Sequence, residues 1–90
     1  MRVLVRAATE TDYATFARLS RELGRDEPTP SVGRWLGDLM RHTLVADDGV
    51  LRGYVMFERL GTTGRVRNLV VAREARNAGV GHALMSAVAD

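Results

Sequence analysis

The run Leu69-Val70-Val71-Ala72-Arg73-Glu74-Ala75-Arg76-Asn77-Ala78-Gly79-Val80-Gly81 joins a strand-like segment, Val66 to Val71, to a helix-like segment, Val80 to Asp90. Its last six residues read as a phosphate cradle. The first N–H groups of a helix have no intrahelical acceptor and carry a partial positive charge, so an anion placed there gains hydrogen bonds and a favourable field. Gly79 and Gly81 have no Cβ to screen those amides, and Arg76 can add a bidentate, charge-assisted contact to a phosphate oxygen. The same glycines are also what a tight strand-to-helix turn requires.

Working back from the cradle, Thr43 to Ala46 reads as a strand, Asp48-Gly49 as a hairpin turn and Val50 to Leu60 as a longer strand. Gly61-Thr62-Thr63-Gly64 then turns the chain into Val66 to Val71, giving a three-stranded antiparallel meander. Tyr54-Val55-Met56-Phe57 is apolar on both faces, which predicts an interior strand covered by helices on both sides. Further upstream, Val3 to Ala7 reads as an opening strand that joins the far side of the meander. Thr9 or Thr11 caps a helix running to Leu23, with Gly24 as its stop and Tyr13, Phe16, Leu19 and Leu23 as its buried stripe. Pro28-Thr29-Pro30-Ser31 opens a second helix whose Val32, Trp35, Leu36, Leu39 and Met40 form an amphipathic set. The predicted class is α/β: strand, two helices, three-strand meander, helix. The strand that normally returns parallel after a covering helix has no counterpart before Asp90, so the expectation is one partial domain over 1–90 with the Val66–Val71 edge uncovered.

Composition excludes several classes. With 90 residues, 46% hydrophobic, the chain makes a single small core, and no apolar run approaches the ~20 residues of a membrane span. The N-terminus lacks the apolar region and cleavage site of a secretory signal, which predicts a cytoplasmic setting. The absence of cysteine removes disulfides, thiolate metal sites and Cys nucleophiles, and His42 and His82 alone make no zinc cluster. No metal site is expected. A net charge of +2, carried by dispersed arginines without one lysine, gives no footprint for nucleic acid. Arg18, Arg21 and Arg25 read as a solvated helix face.

The order of elements, with Leu69-Val70-Val71-x-x-x-x-Arg76-x-x-Gly79-x-Gly81, resembles the GCN5-related N-acetyltransferase (GNAT) superfamily and its acetyl-CoA-binding motif. Val3 to Asp12 resembles that family's opening strand and helix entry, and Val45 to Val55 its second and third strands. The likeness spans all 90 residues and only the first half, or somewhat more, of the family's length. A dinucleotide-binding motif would require a third glycine where Leu84 stands, and a P-loop would require a lysine.

The resemblance implies transfer of an acetyl group from acetyl-CoA to an amine on a small molecule or protein. It assigns the thioester carbonyl to the amide of Val71, the pantetheine arm to Leu69 and Val70, and the pyrophosphate to Arg76 and the backbone of Asn77, Ala78, Gly79, Val80 and Gly81, with a further contact from His82. An amine of the lysine type has a pKa near ~10, so a base or water relay must assist its deprotonation. Many members of the family place a carboxylate just before the Leu-x-Val strand, where this chain has Arg67 and Asn68; Glu58 on the preceding strand is the substitute. Tyr54, Tyr13, Trp35, His42 and the methionines at 40, 56 and 85 read as structural. The alternative is a non-catalytic acyl-CoA-binding module whose free edge pairs with an identical chain or a sister domain.

Overall fold

In a computed structural model of the chain, described for residues 3–23, 28–60, 63–76 and 78–89, the antiparallel sheet has the order β1-β2-β3-β4. The strands are β1 (Leu4–Ala7), β2 (Thr43–Asp47), β3 (Leu51–Leu60) and β4 (Thr63–Val71). The meander and the docking of the opening strand on its far side agree with the sequence expectation, although β4 starts three residues before Val66. Gly49 closes the β2–β3 turn at φ 105°, a backbone state that an L side chain adopts only under strain, and the Asp47 carboxylate accepts from its N–H at 2.8 Å. The predicted stop at Gly24, the Gly61-Thr62 turn, Asn77 and Asp90 lie outside the described residues.

Helix α1 (Tyr13–Leu23) follows a 3-10 turn (Glu10–Asp12) whose N-cap is Thr9. Its Phe16 and Leu19 are buried, and Phe16 stacks on Trp35 at 4.5 Å between ring centroids and meets Tyr54 edge-on at 5.0 Å. Helix α2 (Val32–Arg34), capped by the Ser31 hydroxyl, runs directly into a π-helical stretch (Trp35–Leu39) and a 3-10 turn (Met40–His42). There the sequence expectation is corrected. The Met40 N–H reaches back to the Trp35 carbonyl, five residues away, so the phase of 100° per residue that aligned the apolar set no longer holds. Trp35 is fully buried and Leu39 and Met40 are half-buried, while Val32 and Leu36 are exposed.

Helix α3 (Val80–Ala89) covers the other face of the sheet, where Val80 and Leu84 are buried. Met85, expected in the core, is exposed because it falls on the outer side of α3, one residue past Leu84. Strand alternation keeps the two faces distinct: Tyr54 packs on Phe16 of α1, whereas Gly53 faces Leu84 of α3. No helix of the described residues is long and apolar enough to cross a membrane.

One ion cluster ties the entry of α1 to the sheet. Arg6 donates to both Asp12 carboxylate oxygens, at 2.9 and 3.0 Å, and to Asp47 at 3.1 Å, while the Thr9 amide caps Asp12 at 2.7 Å. The hydrogen bonds from Arg6 hold the buried Asp12 carboxyl below its ordinary range, against the opposing effect of burial, and the two carboxylates hold Arg6 further above its own. A carboxyl depressed in the fold stabilises it above the unfolded-state pKa of ~3.9, and that contribution disappears as pH falls through the folded value. Asp12→Ala is therefore expected to cost about 2 kcal/mol at pH 7. The difference from the parent chain should shrink below pH ~4 in urea titrations at several pH values.

Candidate active site and cofactor cradle

Between β4 and α3 the backbone does what the glycine spacing predicts. A 3-10 turn (Arg73–Ala75) leads through Arg76 to Gly79, which has φ 83°, and among the described residues none beyond its chain neighbours comes within 4 Å of the position a Cβ would take there. The space in front of the helix start is open. Ala83 is the first residue of α3 to donate within the helix, to the Gly79 carbonyl at 3.0 Å, so the N–H groups of Val80, Gly81 and His82 precede the intrahelical ladder. Ala75 and Val80 are buried and anchor the two sides of the turn. Arg76 and His82 are exposed beside it, and Ala78 is half-buried. Gly81 is less demanding than Gly79: a Cβ there would meet only the Val71 side chain, at 3.7 Å.

The free edge of β4 lies next to this cradle. Val71 pairs with Gly53, and the following amide, Ala72, donates to the Arg52 carbonyl on β3 at 2.8 Å. Because successive N–H groups of an antiparallel strand point in opposite directions, the Val71 amide points away from β3, toward the uncovered edge. Leu69, two residues earlier, shares that orientation and is exposed. Val70 differs from Leu69 in that it pairs with Tyr54 and is buried.

On the opposite face, a cavity of about 570 Å³ opens between α1, the helical segment 32–42 and the ends of β3 and β4. Its apolar floor includes Phe16, Tyr54 and Met56, and its polar wall includes Arg34, Asp38, His42, Glu58, Arg67 and Asn68. Burial pushes the Tyr54 phenol up from its ordinary value, an effect opposed by its hydrogen bond with Ser20. A β-bulge shapes the wall. Met56 pairs with Asn68 but Phe57 pairs with Val66, which leaves Arg67 as the extra residue of β4. Glu58, the base candidate, stands on this wall with its Oε2 3.9 Å from Arg67 Nη1. His42 has its Nε2 3.9 Å from Asp38 Oδ1.

The sequence profile of the acetyltransferase (GNAT) family matches residues 5–90. The chain belongs to that family. No curated protein matches this GNAT chain by sequence. Among solved structures it aligns with N-acetylglutamate synthase from Neisseria gonorrhoeae, in complex with coenzyme A and N-acetyl-glutamate, at TM-score 0.81 and 22% identity over 100% of this chain and 22% of that one. Rv2747 from Mycobacterium tuberculosis, in complex with CoA, aligns at 0.80 and 18% identity over 96% and 55%. Diaminobutyrate acetyltransferase EctA from Paenibacillus lautus, in complex with its substrate and coenzyme A, aligns at 0.78 and 21% identity over 99% and 57%. The GNAT chain thus spans just over half the length of two of these proteins and under a quarter of the third.

Arg34 and Asp38 stand on the cavity wall without any motif to mark them, and His42, read from the sequence as structural, stands with them. They recur every fourth position along the second helical segment, a polar stripe visible beside the apolar one. Among the described residues no cluster of His, Asp and Glu could hold a metal ion.

Proposed function

We propose that this GNAT chain supplies the acetyl-CoA site, and one wall of the acceptor site, of an N-acetyltransferase acting on an amine in the cytoplasm. The observation that carries the reading is the positive-φ Gly79 at an open helix start, beside a strand edge whose Val71 amide faces outward. The coenzyme A bound in the three structural relatives supports it. The amides of residues 77–81 and the Arg76 guanidinium would hold the pyrophosphate, with His82 beside them, and Leu69 would flank the pantetheine arm. The Val71 N–H would stabilise the oxyanion that forms when the amine nitrogen attacks the thioester carbonyl. The new C–N bond forms, the C–S bond breaks, and the thiolate leaves and takes up a proton. The rate would come chiefly from orientation by fixed backbone dipoles.

Glu58 is the proposed acceptor of the amine proton, directly or through water. Glu58→Gln is expected to lower kcat about tenfold with KM for acetyl-CoA unchanged. The expected loss lies below the ~10²–10⁴-fold usual for a general base because Asp38 shares the cavity. A pH–rate profile that moves on this substitution identifies Glu58 as the base; an unmoved profile removes it.

Calorimetric titration of the chain with acetyl-CoA tests the central reading. Saturable binding supports it, and the absence of binding by a folded chain sinks it. Arg67 and Asn68, where a carboxylate is usual in the family, favour a second reading, an acyl-CoA-binding module without turnover whose β4 edge is completed by another strand or a second copy. Binding without acetyl transfer would favour that reading.

A further inference from the structure

We propose that the acceptor cavity is built for a zwitterionic amine, a small molecule carrying a carboxylate as well as the amino group. The proposal rests on the acetyltransferase reading and specifies its acceptor. The polar wall presents charges of both signs. Arg34 and Arg67 stand on one side of the count, Asp38 and Glu58 on the other. Arg34 makes no ion pair among the described residues. Arg67 approaches Glu58 only at 3.9 Å, too far for a hydrogen bond, and its side chain is 63% exposed, so the donors of its guanidinium remain available.

A guanidinium fork matches a carboxylate in bidentate geometry, and an ammonium group is drawn to Asp38 and Glu58. A polyamine would place cationic charge against Arg34 and Arg67, and a dianion would meet Asp38 and Glu58. A ligand bearing one group of each sign satisfies both halves of the wall. The cavity, about 570 Å³, lies within the ~300–1,000 Å³ usual for small-molecule sites. Its Phe16, Tyr54 and Met56 floor suits the carbon skeleton between the two charged groups. The helical geometry contributes: the π-helical stretch carries Asp38 between Arg34 and His42, so three polar side chains of one segment line the same cavity.

The test compares each amino acid with its decarboxylated counterpart: L-lysine with cadaverine, L-ornithine with putrescine, and L-phenylalanine with phenethylamine. Binding to the isotope-labelled chain is followed by NMR at the Asp38, Met56 and Asn68 amides, with and without acetyl-CoA. The expected result is that in at least one pair the amino acid binds at least tenfold more tightly than the bare amine. Arg34→Gln or Arg67→Gln should remove that preference while acetyl-CoA binding stays unchanged. Equal or tighter binding by the bare amine in every pair overturns the proposal, as does no binding by any of the six compounds. Acetyl-CoA titration of the same sample separates the two readings: if it binds and the amino acids do not, the acceptor assignment alone fails. If the amino acids bind and acetyl-CoA does not, the acetyltransferase reading fails.

Discussion

Replacing Gly79 with tryptophan is expected to raise the dissociation constant for acetyl-CoA by at least about 100-fold, a loss near 2.8 kcal/mol. The open space at this position is what an approaching phosphate would occupy, and an indole would fill it. The substitution also forces an L side chain to φ 83°, which costs about 1–3 kcal/mol of folding stability. Gly79→Ala separates the two effects, because alanine carries a similar backbone penalty with far less bulk. Calorimetry should find Gly79→Ala weakened much less than Gly79→Trp, with both chains folded by circular dichroism. Arg76→Ala, which removes one exposed cation and leaves the backbone amides, is expected to weaken binding about tenfold, as for one charge-assisted hydrogen bond. Equal affinities for Gly79→Trp and the parent chain would return the cradle to being a turn.

The turn at Gly79 was legible in the sequence because its determinants are local. A glycine ahead of a helical apolar period, just past a β-branched run, constrains the backbone within a few residues, and Gly79 has the positive φ that such spacing demands. Strand order was legible for a related reason: the meander is joined by short turns, and short turns leave few topologies. What escaped depends on register between segments distant in sequence. Nothing in Arg65-Val66-Arg67-Asn68 marks Arg67 as the bulged residue; its status follows from how β4 meets Met56 and Phe57. Likewise a helical period from Val32 to Met40 presupposes 3.6 residues per turn, and the π-helical stretch breaks that premise at Trp35. The cavity combines both features. Its charged wall joins a helical stripe that recurs every fourth residue, Arg34, Asp38 and His42, to a bulged strand, and only the strand half escapes a count by period.

Gly53 is the second position where a single side chain should have a large effect, and its importance comes from packing between β3 and β4 rather than from backbone freedom. A Cβ built there would stand 2.6 Å from the Val70 carbonyl oxygen, 3.3 Å from the Val71 Cα and 3.4 Å from the Leu84 Cδ1. Two of the three are backbone atoms of a strand held by the β3–β4 ladder, so they cannot rotate away as a flexible side chain would. Gly53→Val must therefore push β4 outward or α3 off the sheet, and overpacking of this kind places the expected destabilisation at about 3 kcal/mol, the upper end of the usual range. That is more than a hundredfold in the folding equilibrium. Gly53→Ala should cost less and leave the chain folded, and there the functional consequence can be read. The atoms it displaces, Val70 and Val71, carry the proposed oxyanion donor, and donors misplaced by a fraction of an ångström lose much of their effect. On the proposed reading, Gly53→Ala should thus reduce kcat while the affinity for coenzyme A, held chiefly at the Gly79 turn, changes little. A loss confined to stability, with kcat intact in the folded fraction, would show that the Val71 amide does not act on the reacting carbonyl.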